Sequence, residues 1–193
     1  PGDHIVAFGT LYGCTYSLLT RWLSRQQIAT TFCDFTLLES VRAAIRPETR
    51  VLYAETPANP TMEIVDLGAL CGLRDEINAT RPDDRKIHVL IDNTFASPYC
   101  QRPLEWGVDL SIESLTKNIC GFGTDMGGAV IGAKRYEEEL FMYRKDFGGV
   151  LSPKSAWAIL VYGLSTLTLR VKRQIDTAFK VAEFLERHPK LGR

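Results

Sequence analysis

The chain has 193 residues, of which 45% are hydrophobic and 24% are charged, with 23 basic and 23 acidic side chains. A formal net charge of zero gives no electrostatic basis for binding nucleic acid or an anionic membrane surface. No apolar run approaches the roughly 20 residues of a membrane-spanning helix, and residues 1–4 do not resemble the start of a signal peptide. We therefore expect a cytoplasmic protein without nucleic-acid or membrane partners.

Short apolar runs and helical patterns follow each other along the chain. The apolar runs predict strands at residues 5–8, 29–32, 51–54, 87–91, 108–112 and 128–131. Apolar side chains at helical spacing predict helices at residues 16–23, 38–45, 67–79, 136–143, 153–162 and 168–187. Thr36 and Glu39 form a capping-box pattern, and Asp66 can cap the helix that follows it.

The order of these elements predicts the fold class. Strands that are apolar throughout, alternating with helices, are typical of a parallel sheet with helices on both faces. We therefore predict an α/β fold with three layers, α/β/α, and a mainly parallel sheet. Residues 1–150 are predicted to form one large domain, incomplete at its N-terminus. Residues 151–193 are predicted to be a helical segment leading towards a C-terminal domain that is missing here.

Four polar or aromatic residues come directly after predicted strands, namely Tyr12, Asn59, Asp92 and Lys117. Ligands of parallel α/β sheets bind at the carboxyl ends of the strands. We therefore expect these four side chains to converge at one edge of the sheet.

Lys117 has the most suggestive surroundings. Its small and apolar neighbours would desolvate an ammonium group and favour the free, nucleophilic amine. Ser114 and Thr116 offer hydroxyl groups to a phosphate, and Asp92 offers a carboxylate to a ring nitrogen. These are the groups that pyridoxal 5′-phosphate requires.

Each of these residues also has an ordinary structural interpretation. A lone lysine is usually a solvated surface residue, and Asp92 could simply close a strand. Tyr12 could be a core aromatic residue, and Asn59 could be a turn residue. The five cysteines and three histidines are scattered without paired spacing, so we predict reduced thiols and no metal site. The glycine pattern at residues 121–126 lacks the third glycine of a dinucleotide fingerprint and precedes a strand, which excludes that interpretation.

Blocks of sequence distributed over nearly the whole chain resemble the pyridoxal-phosphate enzymes of cysteine and methionine metabolism. They lie, in chain order, at residues 11–15, 55–60, 92–99, 101–105, 114–117, 151–153 and 163–170. The resemblance implies the large domain of the aspartate-aminotransferase type of fold. It also implies a homotetramer, assembled from dimers that share active sites, and a sulfur amino acid as substrate.

The resemblance further implies a role for each candidate residue. Lys117 would carry the cofactor covalently, Asp92 would pair with its pyridine nitrogen, and Tyr12 would stack on the ring and act as an acid. Ser114 and Thr116 would bind its phosphate, and Asn59 would lie near its phenolic oxygen.

Cys14 points to one activity within this family. Most members resemble Tyr-Gly-Gly at this turn, whereas methionine γ-lyases typically resemble Tyr-Gly-Cys, with the thiol facing the substrate. We therefore predict α,γ-elimination of methionine, unless the cysteine merely replaces a glycine. Cystathionine γ-synthase, cystathionine lyase and O-acetylhomoserine sulfhydrylase activities stay open, as does a catalytically silent subunit. The lysine motif departs from the family pattern at Asn118 and over residues 121–125, where the usual histidine is missing and the turn is one residue longer.

Overall fold

The computed structural model describes residues 1–191. The described chain divides into two compact units, each with an apolar core of its own. The first unit consists of Pro1–Glu113 and Ala129–Val150. The second consists of Ser114–Gly128 together with the chain from Leu151 onward.

A six-stranded sheet is built from the described residues, and all but two of its residues belong to the first unit. Its strands are β1 His4–Phe8, β2 Ala29–Cys33, β3 Thr49–Glu55, β4 His88–Asp92, β5 Leu110–Ser114 and β6 Gly128–Gly132. They lie in the order β2-β1-β3-β4-β5-β6. The pairs β1–β2, β1–β3, β3–β4 and β4–β5 are parallel, which confirms the predicted mainly parallel α/β sheet.

The continuous apolar runs form strands because both faces of the sheet are buried in the core. Val6, Leu52, Val89 and Ile91 are all fully buried at the centre of this core. The apolar side of the longest helix of the first unit, Leu67–Asn78, supplies further buried leucines to the same cluster.

The α-helices are α1 Gly13–Ser17, α2 Leu38–Ala44, α3 Leu67–Asn78, α4 Ser97–Cys100, α5 Glu137–Phe147, α6 Pro153–Ala158 and α7 Ser165–Glu186. Further helical turns extend α1 over Leu18–Leu23 and Ser24–Gln26, and Ile159–Leu164 joins α6 to α7. Short turns also occur at Asp83–Arg85, Pro103–Trp106 and Lys134–Tyr136. None of the helices in residues 1–191 is long and apolar enough to cross a membrane.

One predicted helix cap is confirmed and the other is wrong. The Asp66 carboxylate accepts a hydrogen bond from the Ala69 backbone N–H at 2.9 Å and caps α3. The capping box at Thr36 does not form, because the Thr36 hydroxyl and backbone N–H both donate to Asp34, at 2.6 and 2.8 Å. The N-cap of α2 is therefore Leu37, which makes no side-chain cap.

A cavity of about 860 Å³ lies in the first unit at the amino-terminal ends of β4 and β5. Its buried centre is Asp109, which accepts hydrogen bonds from the Val89 backbone N–H and from Arg74, Arg135 and Tyr136. Because these partners already satisfy the carboxylate, the cavity is explained as a structural ion-pair cluster. It lies at the edge opposite the strand ends where the candidate residues occur.

Candidate functional site

The carboxyl edge of the sheet in the first unit has the arrangement that favours ligand binding. From β1 the chain connects to β2 on one side and β3 then lies on the other side, so the strand order reverses between β1 and β3. Such a reversal opens a crevice at the carboxyl ends of the strands. Tyr12 follows β1 and Asn59 follows β3, on the two sides of this reversal.

Glu55, the last residue of β3, joins the two sides. Its carboxylate is 4% exposed and accepts the backbone N–H of Tyr12 at 2.9 Å and that of Asn59 at 3.0 Å. Burial raises the pKa of Glu55, and the two backbone hydrogen bonds partly oppose that rise. One buried carboxylate therefore fixes the backbone at two of the predicted site residues.

Asp92 lies directly beside Glu55, as its register partner in the neighbouring strand β4. It is half-buried, and its Oδ1 atom accepts the backbone N–H of Thr94 at 3.0 Å. Its backbone oxygen accepts the Thr56 N–H at 3.2 Å. The structure thus brings Tyr12, Asn59 and Asp92 to one edge of the sheet in the first unit.

Tyr12 and Cys14 form a pair at the start of α1. Tyr12 is the N-cap residue of this helix and is 48% exposed, and Cys14 is exposed as well. The pKa of Tyr12 is raised, chiefly by a side-chain hydrogen bond with Cys14. The phenol therefore lies next to the thiol.

A buried amide network supports the chain behind Asp92. The Asn93 Nδ2 group donates to Glu113 Oε1 at 2.7 Å and to the Gln101 backbone oxygen at 2.9 Å. In return, Gln101 Nε2 donates to Asn93 Oδ1 at 2.9 Å and to the Thr56 backbone oxygen at 3.1 Å. Burial raises the pKa of Glu113 to about 6. This network connects β4, β5 and the loop after β3.

Sequence reasoning missed both Glu55 and this network. Glu55 and Gln101 belong to blocks of the family resemblance, but the strand pattern identified Glu55 only as the residue that ends a strand. The signal for its role was available in the sequence. Glu55 is a charged residue that follows a fully apolar strand and precedes two prolines.

Lys117 lies in the second unit, in the short helical segment Leu115–Ile119. The helical backbone is interrupted at Lys117 itself, where φ is −92° and ψ is −122°. The side chain is exposed, so the desolvation that its apolar neighbours led us to expect is not present in this chain. Ser114 precedes the segment in an extended conformation. The Thr116 hydroxyl accepts the Gly127 backbone N–H at 3.0 Å and donates to the Gly127 oxygen at 3.3 Å.

Comparison with known proteins decides the family. Residues 1–193 match the family model described as Cys/Met metabolism PLP-dependent enzyme. The chain belongs to this family.

Individual relatives agree with this assignment. An L-methionine gamma-lyase of Fusobacterium nucleatum subsp. polymorphum is 44% identical over 194 residues, which cover 100% of this chain and 47% of the relative. A cystathionine gamma-lyase of Bacillus subtilis is 39% identical over 97% of this chain and 48% of its own length. The solved structure of a cystathionine gamma-lyase from Lactobacillus plantarum complexed with L-serine has a TM-score of 0.91 and 33% identity. That match covers 100% of this chain and 48% of the solved one. The chain therefore spans about half the length of the curated relatives that it matches.

The side chains at the strand ends fit the cofactor of this family. The Glu55 carboxylate is occupied by two backbone N–H groups, whereas Asp92 is half-buried at the same edge and retains acceptor capacity for a ring N–H. Tyr12 exposes an aromatic face in the same unit. In the second unit, described by itself, Lys117 exposes a primary amine. A carboxylate, an aromatic ring and an amine are the groups through which proteins hold pyridoxal phosphate.

Proposed function

We propose that the protein containing this chain is a pyridoxal-phosphate-dependent carbon–sulfur lyase. It converts methionine and water to 2-oxobutanoate, methanethiol and ammonia by α,γ-elimination. The observation that carries the proposal is the 44% identity, over the whole chain, to an L-methionine gamma-lyase. The pair of Tyr12 and Cys14 at the crevice supports the same activity.

The chain's own residues divide the work of this reaction. When bound, pyridoxal phosphate draws electrons from the α-carbon of an amino acid. Lys117 Nζ would hold the cofactor and, as the free amine, would accept the proton from Cα and then one from Cβ, whose C–H electron pair allows the Cγ–S bond to break. The Asp92 carboxylate would accept the hydrogen bond of the pyridinium N–H and so keep that nitrogen protonated.

Tyr12 is the proton donor to the departing sulfur. A phenol is protonated at neutral pH, as this role requires, and the raised pKa of Tyr12 leaves that state unchanged. Its ring would also stack on the cofactor, and Cys14 would face the substrate beside it. Ser114 and Thr116 would bind the phosphate, and Asn59 would lie near the phenolic oxygen of the cofactor.

We propose that the full protein is a cytoplasmic homotetramer, a dimer of dimers with shared active sites. The cytoplasmic location and the tetramer are both proposed from the family alone. Analytical ultracentrifugation of the full-length protein tests the tetramer.

Cystathionine lysis is the second candidate activity. It is favoured by the name of the Bacillus subtilis relative, a cystathionine gamma-lyase 39% identical to this chain. γ-Replacement, by a cystathionine γ-synthase or an O-acetylhomoserine sulfhydrylase, uses the same residues with a different second substrate.

The test uses the full-length protein loaded with pyridoxal phosphate. We expect methanethiol and 2-oxobutanoate from methionine alone, at a higher kcat/KM than with cystathionine or with O-acetylhomoserine plus sulfide. A higher kcat/KM for cystathionine would replace the proposal with the second candidate. If none of the three substrates is turned over, the result would indicate that the protein is a catalytically silent subunit.

Two substitutions sharpen this test. Lys117→Ala should lower turnover by at least about 10⁴-fold, because the same amine holds the cofactor and moves protons, whereas the exposed Lys134→Ala should leave turnover unchanged. Cys14→Gly should lower kcat/KM for methionine more than for cystathionine. Equal losses would assign the cysteine to packing.

A further inference from the structure

Arg170 of α7 is tied to the backbone that follows Lys117. Its Nη1 group donates to the Asn118 oxygen at 2.8 Å, and its Nη2 group donates to the Ile119 oxygen at 3.2 Å. Nη2 also donates to the Gly163 oxygen at 2.7 Å, and Nε donates to Thr166 Oγ1 at 3.0 Å. One guanidinium therefore links α7 to the two residues directly after Lys117.

Two glycines make this contact possible. A Cβ atom at Gly163 would lie 2.9 Å from Cys120 Cα and closer still to the Ile119 oxygen, and neither backbone atom can move aside. Gly121 has φ +74°, and a Cβ atom there would collide with the Arg170 guanidinium. We call Arg170, Gly163 and Gly121 the lysine clamp.

The segment held by the clamp has an irregular backbone at the lysine. Its helical backbone is interrupted at Lys117, and the Lys117 side chain is exposed. Two residues later the chain becomes buried again, because Ile119 and Cys120 pack against the apolar side of α7. The Gly121 N–H donates a hydrogen bond to the Lys117 backbone oxygen at 2.8 Å. Residues 118–121, directly after the lysine, are thus held both by the clamp and by the apolar side of α7.

We infer that Arg170 is a positioning residue that sets the direction of Lys117 by fixing the carbonyl groups of the two residues after it. Hydrogen bonds from a charged guanidinium are shorter and stronger than neutral ones, and its planar fork holds several acceptors at once. The inference rests on the proposed function only for its catalytic consequence. Its structural content concerns this chain alone.

The first measurement is hydrogen–deuterium exchange of the cofactor-free, full-length protein. Arg170→Met should speed amide exchange in residues 118–121 by about tenfold or more, since these groups lose their anchor. Arg170→Lys should give an intermediate rate, because an ammonium is a point charge without the fork. Arg173→Met, on the exposed side of the same helix, is the control and should leave the rate unchanged. Unchanged exchange in Arg170→Met would overturn the inference.

The second measurement is the kinetics of the loaded enzyme. Arg170→Met should lower kcat by about 10–100-fold, because a misplaced catalytic group costs rate, and should change KM by less than about threefold. Equal losses in kcat for Arg170→Met and Arg173→Met would overturn the positioning role. If the wild-type protein turns over no sulfur amino acid, the proposed function fails while the exchange result still decides the clamp.

A milder variant covers the case in which Arg170→Met does not fold. Thr166→Val removes the acceptor of the Arg170 Nε group, together with the bonds that the hydroxyl donates to the Tyr162 and Gly163 backbone oxygens. It should speed exchange in residues 118–121 by about threefold, since one of the four bonds is lost. The matched control is Thr177→Val, about three turns further along α7, whose hydroxyl donates to the Arg173 backbone oxygen one turn before it. Equal exchange in the two threonine variants would contradict the clamp.

Discussion

The two units hold their candidate residues with side chains of opposite charge. In the first unit, the anionic carboxyl group of Glu55 accepts backbone N–H groups of Tyr12 and Asn59. In the second unit, the cationic Arg170 donates to backbone oxygens of Asn118, Ile119 and Gly163. In both units a charged side chain from a distant part of the sequence fixes a turn at or next to a candidate residue.

The residues at these turns are of two kinds. Tyr12, Asp92 and Lys117 are proposed to touch the cofactor or substrate, and their effect should appear mainly in the rate. Glu55 and Arg170 contact backbone atoms, so their effect should appear in local order and stability as well. The following substitutions test that separation, beginning with the largest expected effect.

Asp92→Asn should lower turnover of the loaded full-length enzyme by about 10²–10⁴-fold. Loss of a charge partner from a buried pair costs about 3–5 kcal/mol, and each 1.4 kcal/mol is about tenfold in rate. The free energy of unfolding of the cofactor-free protein should hardly change. Steady-state kinetics and urea unfolding check both parts, with Asp83→Asn, an exposed ion-pair residue, as control. Turnover within tenfold of wild type would remove Asp92 from the site.

Glu55→Gln should destabilise the cofactor-free protein by about 3 kcal/mol. One carboxylate oxygen is replaced by an N–H donor that faces a backbone N–H, and hydrogen bonds to charged groups contribute about 1.5–3 kcal/mol. Urea unfolding measures the change, and Glu39→Gln on the exposed face of α2 serves as the control. If both variants unfold alike, Glu55 does not fix the turns at Tyr12 and Asn59.

Gly163→Ala should destabilise the second unit, by about 1–3 kcal/mol, because the added methyl group meets backbone atoms that must shift. Gly72→Ala, within α3, should have the opposite effect on stability. A Cβ atom there meets no other atom within 4 Å, so alanine should stabilise the helix by about 0.8–1.0 kcal/mol. Thermal unfolding of both variants checks the contrast. A Gly163→Ala variant as stable as Gly72→Ala would show that the clamp does not need the close approach.

The smallest expected loss of stability is the one that follows a rise in pH. The pKa of Glu113 is raised by burial from 4.5 to about 6, so the folded protein holds this proton more tightly than the unfolded chain does. The corresponding stabilisation is present below about pH 4.5 and is lost as the pH rises through about 6, amounting to about 1–2 kcal/mol. Urea unfolding between pH 4 and 7 should show a weaker decline in Glu113→Gln than in the wild type. Identical profiles would place the Glu113 pKa at its ordinary value.

The sequence was sufficient for the sheet because a parallel strand buried on both faces must be apolar throughout. Residues 51–54 and 87–91 therefore revealed their strands and the positions of Glu55 and Asp92 at the strand ends. The cap at Thr36 was predicted wrongly because two conformations compete for the same hydroxyl. The nearby Asp34 carboxylate accepts the Thr36 N–H, which a capping box would donate to Glu39, and it accepts the Thr36 hydroxyl hydrogen as well.

The contacts that support the candidate site could not be predicted from local patterns. Glu55 bonds to a residue 43 positions away, and Arg170 bonds to one 52 positions away. Neither spacing follows from helix or strand periodicity, since it depends on how distant elements pack. The same limit explains Lys117, whose apolar sequence neighbours are buried or half-buried while its own side chain is exposed.

The most direct test of the account is to find the residue that carries the cofactor. The full-length protein, loaded with pyridoxal phosphate, is reduced with borohydride, digested and analysed by mass spectrometry. The account predicts that the phosphopyridoxyl group is found on Lys117 and is absent from the Lys117→Ala variant. Label on a different lysine, or no label on the loaded wild-type protein, would contradict it.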